Sequence, residues 1–300
     1  MVFIPVRELK GKCKAAVVRF VLDNERYCVQ LTSLLKKNIA DAYAVFADEV
    51  CPQGLYGVLN IKKTILHCLP FAKSGSETAL QEDFFVSFCE FYKKNNFNNP
   101  VCINGTADGT QLLEKCFESL GQLPDQQNEY SLLLLDERNF LQQLRKQKQN
   151  KEIKIFRCKK DISDALKFQL LNMQEDYEKE EIVPACFTFD EDSCRLRFLT
   201  VLRTQFIFAL QSKEETLISK AGTNAIGYKF VQLGGVFTKK EHRGKGFAGI
   251  LLNTLLFKLL KMRKKIVLFV KKQNLPANKL YASLGFKNIS DYTILYYRKL

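Results

Sequence analysis

The stretch Val231–Gly249, VQLGGVFTKKEHRGKGFAG, decides the fold of this 300-residue chain. An apolar run with strand character, Tyr228–Thr238, gives way to a basic turn and then to a glycine-rich helix start. The helix is predicted over Gly246–Met262, with Phe247, Ile250, Leu251, Leu255, Leu259 and Met262 on one face. Gly244 and Gly246 remove side chains where a ligand must approach the backbone. The first helical turn leaves N–H groups without intrahelical partners. Arg243 and Lys245 add positive charge, so the stretch is built to hold a phosphate.

Two familiar phosphate motifs do not fit it. A P-loop needs GxxxxGK followed by Ser or Thr, and the sequence contains no such string. Gly244–Gly249 does spell GxGxxG. Yet the polar residues Thr238–Arg243 separate strand from glycine, where a dinucleotide-binding turn follows its strand at once. The region where an acid would bind ribose carries Lys264 and Lys265 instead, and the chain left over is too short for a doubly wound sheet.

Working outward, Ile153–Phe156 reads as a short strand and Ser163–Tyr177 as an amphipathic helix. Strands follow over Phe206–Leu210 and Thr216–Thr223. Downstream, Ile266–Val270 is apolar throughout, as a strand buried on both faces would be. Pro276–Leu284 is predicted helical and ended by Gly285. Strands over Phe286–Ile289 and Tyr292–Tyr297 close the chain. The order defines an α/β layered fold with a mixed central sheet flanked by helices.

The chain also repeats itself. Tyr43–Ala47 (YAVFA) precedes Gln205–Ala209 (QFIFA), Phe117–Gly121 (FESLG) precedes Tyr281–Gly285 (YASLG), and Glu129–Leu133 (EYSLL) precedes Asp291–Leu295 (DYTIL). Three similar segments in one order at nearly constant spacing indicate an internal duplication. The polar, glutamine-rich run Leu141–Lys151 lies at the seam between Arg138 and Asp161, which predicts two domains, 1–150 and 151–300.

Arg243-Gly-Lys-Gly-Phe-Ala248 resembles the R/Q-x-x-G-x-G/A signature of the GNAT superfamily of acyl-CoA-dependent N-acetyltransferases. Asn274-Leu-Pro-Ala-Asn-Lys-Leu-Tyr281-Ala-Ser-Leu-Gly285-Phe286 resembles the family's N-x-x-A-x-x-L-Y-x-x-x-G-F block. The motifs cover Val231–Phe286, and the topology extends the likeness over about Ile153–Leu300.

The resemblance implies acetyl-CoA as cosubstrate and no metal. Main-chain groups of Val236, Phe237 and Thr238 would pair with the pantetheine arm, where this strand splays away from Ile266–Val270. The turn formed by Arg243, Gly244, Lys245, Gly246, Phe247 and Ala248 would hold the pyrophosphate, and Asn274 would touch the pantetheine. It further implies direct attack of an amine on the thioester. A main-chain N–H within Val236–Thr238, best assigned to Phe237, would polarise the carbonyl, and Tyr281 would protonate the departing thiolate. Gln232 stands where a Glu base is often found, and Glu241 and His242 face the phosphate turn, so the base stays unassigned.

The N-terminal half keeps the order of elements, but Pro70–Glu77 (PFAKSGSE) replaces the phosphate turn and Phe117 replaces Tyr281. A degenerate GNAT-like copy without the cofactor motif is the expectation, serving as packing platform or acceptor-site wall. A non-homologous α/β domain is the alternative.

Composition sets the outer limits. With 46% apolar and 26% charged residues, collagen, coiled coil and wholesale disorder are excluded. No apolar run approaches membrane-spanning length, and Arg7, Glu8, Lys10 and Lys12 among the first residues leave no signal-peptide apolar region, so a cytoplasmic protein without membrane contact is expected. Ten cysteines without a CxxC pair, and two histidines, fit reduced thiols packed as small hydrophobes better than a zinc site or disulfide framework.

The net charge of +14 is spread along the chain. It leaves a nucleic-acid-binding module or a non-catalytic acyl-CoA sensor as rivals to an acetyltransferase, alongside an enzyme using a longer acyl chain. The acceptor, a small-molecule or peptide amine, is not specified, and neither is the choice between a homodimer and a monomer of two packed halves.

Overall fold

The computed structural model describes residues 1–38, 41–47, 50–69, 77–144, 153–159, 161–182, 184 and 187–297. In chain order the elements begin with β1 (Val2–Pro5), α1 (Gly11–Asp23), α2 (Val29–Lys36), β2 (Ala42–Phe46), β3 (Leu55–Asn60) and β4 (Thr64–Cys68). Then come α3 (Glu77–Lys94), β5 (Cys102–Thr106), α4 (Ala107–Ser119), β6 (Gln126–Leu135) and α5 (Glu137–Leu144). The series restarts with β7 (Lys154–Cys158), α6 (Asp164–Tyr177), a π-helical turn over Glu178–Ile182, α7 (Glu191–Thr204), β8 (Ile207–Gln211), β9 (Leu217–Ile226) and β10 (Phe230–Thr238). It ends with α8 (Phe247–Lys261), β11 (Lys265–Lys271), α9 (Leu275–Ser283) and β12 (Phe286–Tyr296).

From β7 onward the order βααβββαβαβ repeats that of β1 to β6, so the duplication read from three short segments is a duplication of topology. Two compact units result, Met1–Leu132 with Ser290–Leu300, and Leu133–Ile289. The expected division at residue 150 falls outside the described residues. The structure divides the chain inside β6 instead, and again inside β12, whose second half belongs to the first unit. Two strands had been expected at the C-terminus; one continuous strand is found.

Each unit has the same sheet plan. In the first, β1 to β4 run antiparallel in sequence and β4 then pairs in parallel with β5. Residues Tyr292–Tyr296 of β12 lie antiparallel to β5. In the second, β7 to β10 are antiparallel and β10 pairs in parallel with β11.

Helices cover both faces of the second sheet. On one, α8 buries Leu251, Leu252, Leu255, Leu256 and Leu259 against Leu210, Val231, Leu233, Ile266 and Leu268. On the other, Leu170 and Met173 of α6 and Phe198 and Leu202 of α7 meet Ile207, Ala209 and Leu217. Helix α7, absent from the sequence reading, is capped by the Asp190 carboxylate on Ser193 N at 2.6 Å.

Among the described residues no helix is long and apolar enough to cross a membrane. The nine cysteines described are free thiols, five of them buried.

Candidate active site

The site begins with a strand pair that comes apart. Parallel pairing of β10 with β11 runs from Phe230↔Lys265 to Gln232↔Val267 and goes no further. Beyond it, Leu233–Thr238 and Leu268–Lys271 carry main-chain groups on their facing edges that this ladder does not use. Separation of these two strands is the opening expected from the sequence.

A bulge in β10 accompanies the opening. Gly234 pairs with Gly222 and Phe237 with Lys220, so Gly235 and Val236 together face Ala221. Gly235 takes φ +62, the left-handed conformation glycine tolerates best. Lys239 N donates to Ile218 O at 3.0 Å, and an antiparallel ladder alternates. Phe237 therefore turns its main-chain groups toward β9, whereas Val236 and Thr238 turn theirs toward the opening. The Phe237 N–H, expected to polarise a carbonyl, thus faces β9, and the Val236 N–H faces the opening. The Phe237 ring is buried, edge-on to Tyr177 with centroids 6.2 Å apart.

Past β10, a short turn over Lys240–His242 leads to Gly244 at φ +74 and Gly246 at φ +78. A Cβ on either glycine would meet no atom within 4 Å, so the space before them is open. Gly246 caps α8 without any side-chain hydrogen bond, and no acid stands in the first turn. The turn thus presents main-chain N–H groups at the positive end of a 15-residue helix. This donor set and clearance fit a pyrophosphate.

Arg243 behaves otherwise than expected. Its Nη2 donates to Glu180 Oε2 at 2.7 Å, its Nε to Thr238 O at 2.9 Å, and its guanidinium lies 5.3 Å from the Phe237 ring centroid. The side chain braces the turn against the π-helical segment. Hydrogen bonds from Arg243, with Lys240 adding to them, hold the Glu180 carboxyl below its ordinary range. Lys245 Nζ donates to Glu241 O at 3.0 Å, and the Phe247 ring lies edge-on to His242. Ala248 occupies the first turn of α8.

A second helix start lies just past the end of β11. Asn274 Oδ1 accepts from Ala277 N at 3.1 Å and so caps α9. Two turns on from Asn274, Tyr281 is buried with its ring edge-on to Phe286, and burial, then Tyr177, then Glu181 push its phenol well above the usual value. Gln232 is buried with Nε2 lacking a hydrogen-bond partner among the described residues.

The sequence reading missed Tyr177, Glu181 and Lys220. Lys220, on β9 and 2% exposed, is pulled down to about 7 by burial, with Glu178 opposing. No local motif marks these residues. Helix α6 and its π-helical extension reach the opening through tertiary packing alone.

Residues 213–295 match the family model of the FR47-like proteins. Similar solved structures include a tandem GNAT protein from the clavulanic acid biosynthesis pathway, with 12% identity over 98% of this chain and 97% of that one and a TM-score of 0.56. An acetyltransferase of the GNAT family from Colwellia psychrerythraea shares 10% identity over 99% and 100%, with a TM-score of 0.54. A Drosophila protein shares 10% identity over 98% of each chain, with a TM-score of 0.63. A search of curated proteins finds no match. The likeness is one of fold: this chain has the α/β fold of the GNAT superfamily, in tandem. Most of the FR47-like segment, residues 213–289, lies in the second unit.

Proposed function

We propose that the second unit is an acyl-CoA-dependent N-acyltransferase that moves the acetyl group of acetyl-CoA to an amine. The observation that carries this reading is the parting of β10 and β11 after Gln232↔Val267. There the bulge turns Val236 main-chain groups inward, and the open glycine turn of α8 follows at the same end of the strand.

Bound acetyl-CoA supplies the activated acyl group. Thr238 N–H and the Val236 main-chain groups face the pantetheine arm, and the N–H groups of Gly244–Ala248 meet the pyrophosphate. Val236 N–H is directed at the carbonyl oxygen on which negative charge develops. Tyr281, kept protonated by its buried setting, gives its proton to the departing sulfur. Glu181 stands within electrostatic reach of Tyr281 and is the carboxylate to test as acceptor of the amine proton.

Calorimetric titration of acetyl-CoA, followed by thiol detection of released CoA with a panel of amines, tests the reading. Saturable binding with amine-dependent CoA release supports it. Binding without release would make the protein a sensor, and no binding would exclude the cofactor. Stronger binding of longer acyl-CoAs would favour the longer-chain enzyme.

A further inference from the structure

A lysine inside a packed layer is costly, because removing an ammonium from water is unfavourable unless strong partners replace the water. Lys220 lies among Tyr177, Phe198 and Phe237, where a Met or Leu would pack without that cost. Its Nζ donates to Gln174 Oε1 at 2.8 Å and to Gly235 O at 3.2 Å. It also sits 4.5 Å from the Tyr177 ring centroid and 5.7 Å from that of Phe198. The carbonyl it holds belongs to the bulge.

A trans peptide points its C=O and N–H in opposite directions, and none of the described peptide bonds is cis. With Gly235 C=O held toward Lys220, the N–H of Val236 is turned the other way. Ladder alternation through Lys239 N and Ile218 O turns it into the opening independently. A hydrogen bond donated to the carbonyl also polarises the peptide, which strengthens the donor at its far end.

We infer that Lys220 is a positioning residue, whose hydrogen bond to the Gly235 carbonyl aims and strengthens Val236 N–H as the donor to the acyl carbonyl. This rests on the proposed cofactor site and deepens it, because it names what holds the oxyanion donor in place.

The test is isotope-edited infrared spectroscopy of acetyl-CoA, 13C-labelled at the thioester carbonyl and bound to the full chain. Wild type is expected to shift the carbonyl band to lower frequency than in solution. Lys220→Met is expected to bind with unchanged affinity, to lose most of that shift, and to release CoA about ten- to a hundredfold more slowly. Lys220→Arg, which keeps a cationic donor, is expected to recover part of the shift, which lost packing alone would not do.

An unchanged band and rate in folded Lys220→Met would overturn the inference and leave the cofactor site standing. Failure of wild type to bind acetyl-CoA would overturn both. Should Lys220→Met not fold, Gly235→Ala reads the contact from the carbonyl side. Strain at positive φ is expected to turn that carbonyl away and weaken the shift, and an undiminished shift would count against the inference.

Discussion

The two units open their sheets at the same place and differ in what stands in the opening. In the first, parallel pairing of β4 with β5 ends at Leu66↔Asn104, as that of β10 with β11 ends at Gln232↔Val267. The next residue is His67 in one and Leu233 in the other. His67 is buried over Gly105 and the first turn of α4: a Cβ on Gly105 would fall 2.0 Å from its Nε2, and one on Gly109 2.5 Å from its Cε1. Thr110 Oγ1 lies 2.9 Å from Nε2. Where the second unit leaves main-chain groups and clear space, the first has packed a side chain.

Two more differences run the same way. Phe117, the counterpart of Tyr281, is fully buried against Phe88, Tyr92 and Tyr297 and has no proton to give. The replaced turn, Pro70–Glu77, lies outside the described residues apart from the start of α3. The comparison teaches that two units can share strand order, which the core holds, and still differ in what fills the opening. A site needs vacancy, and vacancy is lost by a single well-packed ring.

If that contrast is right, each chain binds one acetyl-CoA, and Gly246→Glu abolishes binding by putting a carboxylate where the phosphates belong; two sites by calorimetry would break the comparison. Tyr281→Phe should lower turnover about a hundredfold at unchanged cofactor affinity. Its mirror, Phe117→Tyr, should leave turnover alone and cost about 1–3 kcal/mol in urea unfolding by burying a hydroxyl without a partner.

His67→Ala should cost about 2–4 kcal/mol through the cavity it leaves, without creating a second acyl-CoA site. His67 also makes the first unit acid-sensitive. Burial lowers its pKa from 6.5 to about 3, so below 6.5 the unfolded chain takes up a proton the folded one refuses. The resulting stability is complete above that pH and falls by about 1.4 kcal/mol per unit as pH drops toward 3. His67→Gln should flatten that slope in denaturation curves between pH 6 and 4. The smallest effect is expected from Glu180→Gln, which frees a partly exposed Arg243 and should change stability by less than about 1 kcal/mol.

Much of the second unit is legible in the sequence. Gly244 and Gly246 announce a left-handed turn before an apolar helix, and Asn274 announces a helix cap, because each demand is met within a few residues. The strands of the second unit follow from short apolar runs between helices, and YASLG aligned with FESLG exposes the repeat.

What stayed hidden depends on distance along the chain. That Arg243 is spent on Glu180, that Tyr177 and Glu181 approach Tyr281, and that Lys220 bonds Gly235 all require α6 and β9 to be packed beside β10. The direction of Val236 N–H depends on a bulge, and a bulge exists only relative to a partner strand. Nor does His67 in an apolar run declare itself a plug until Gly105 is seen beneath it. Sequence alone determined the elements and the phosphate turn, since those are set by local backbone preference and hydrophobic period. The tertiary structure decided which groups are free to act, since a donor is free only when nothing else in the fold has taken it.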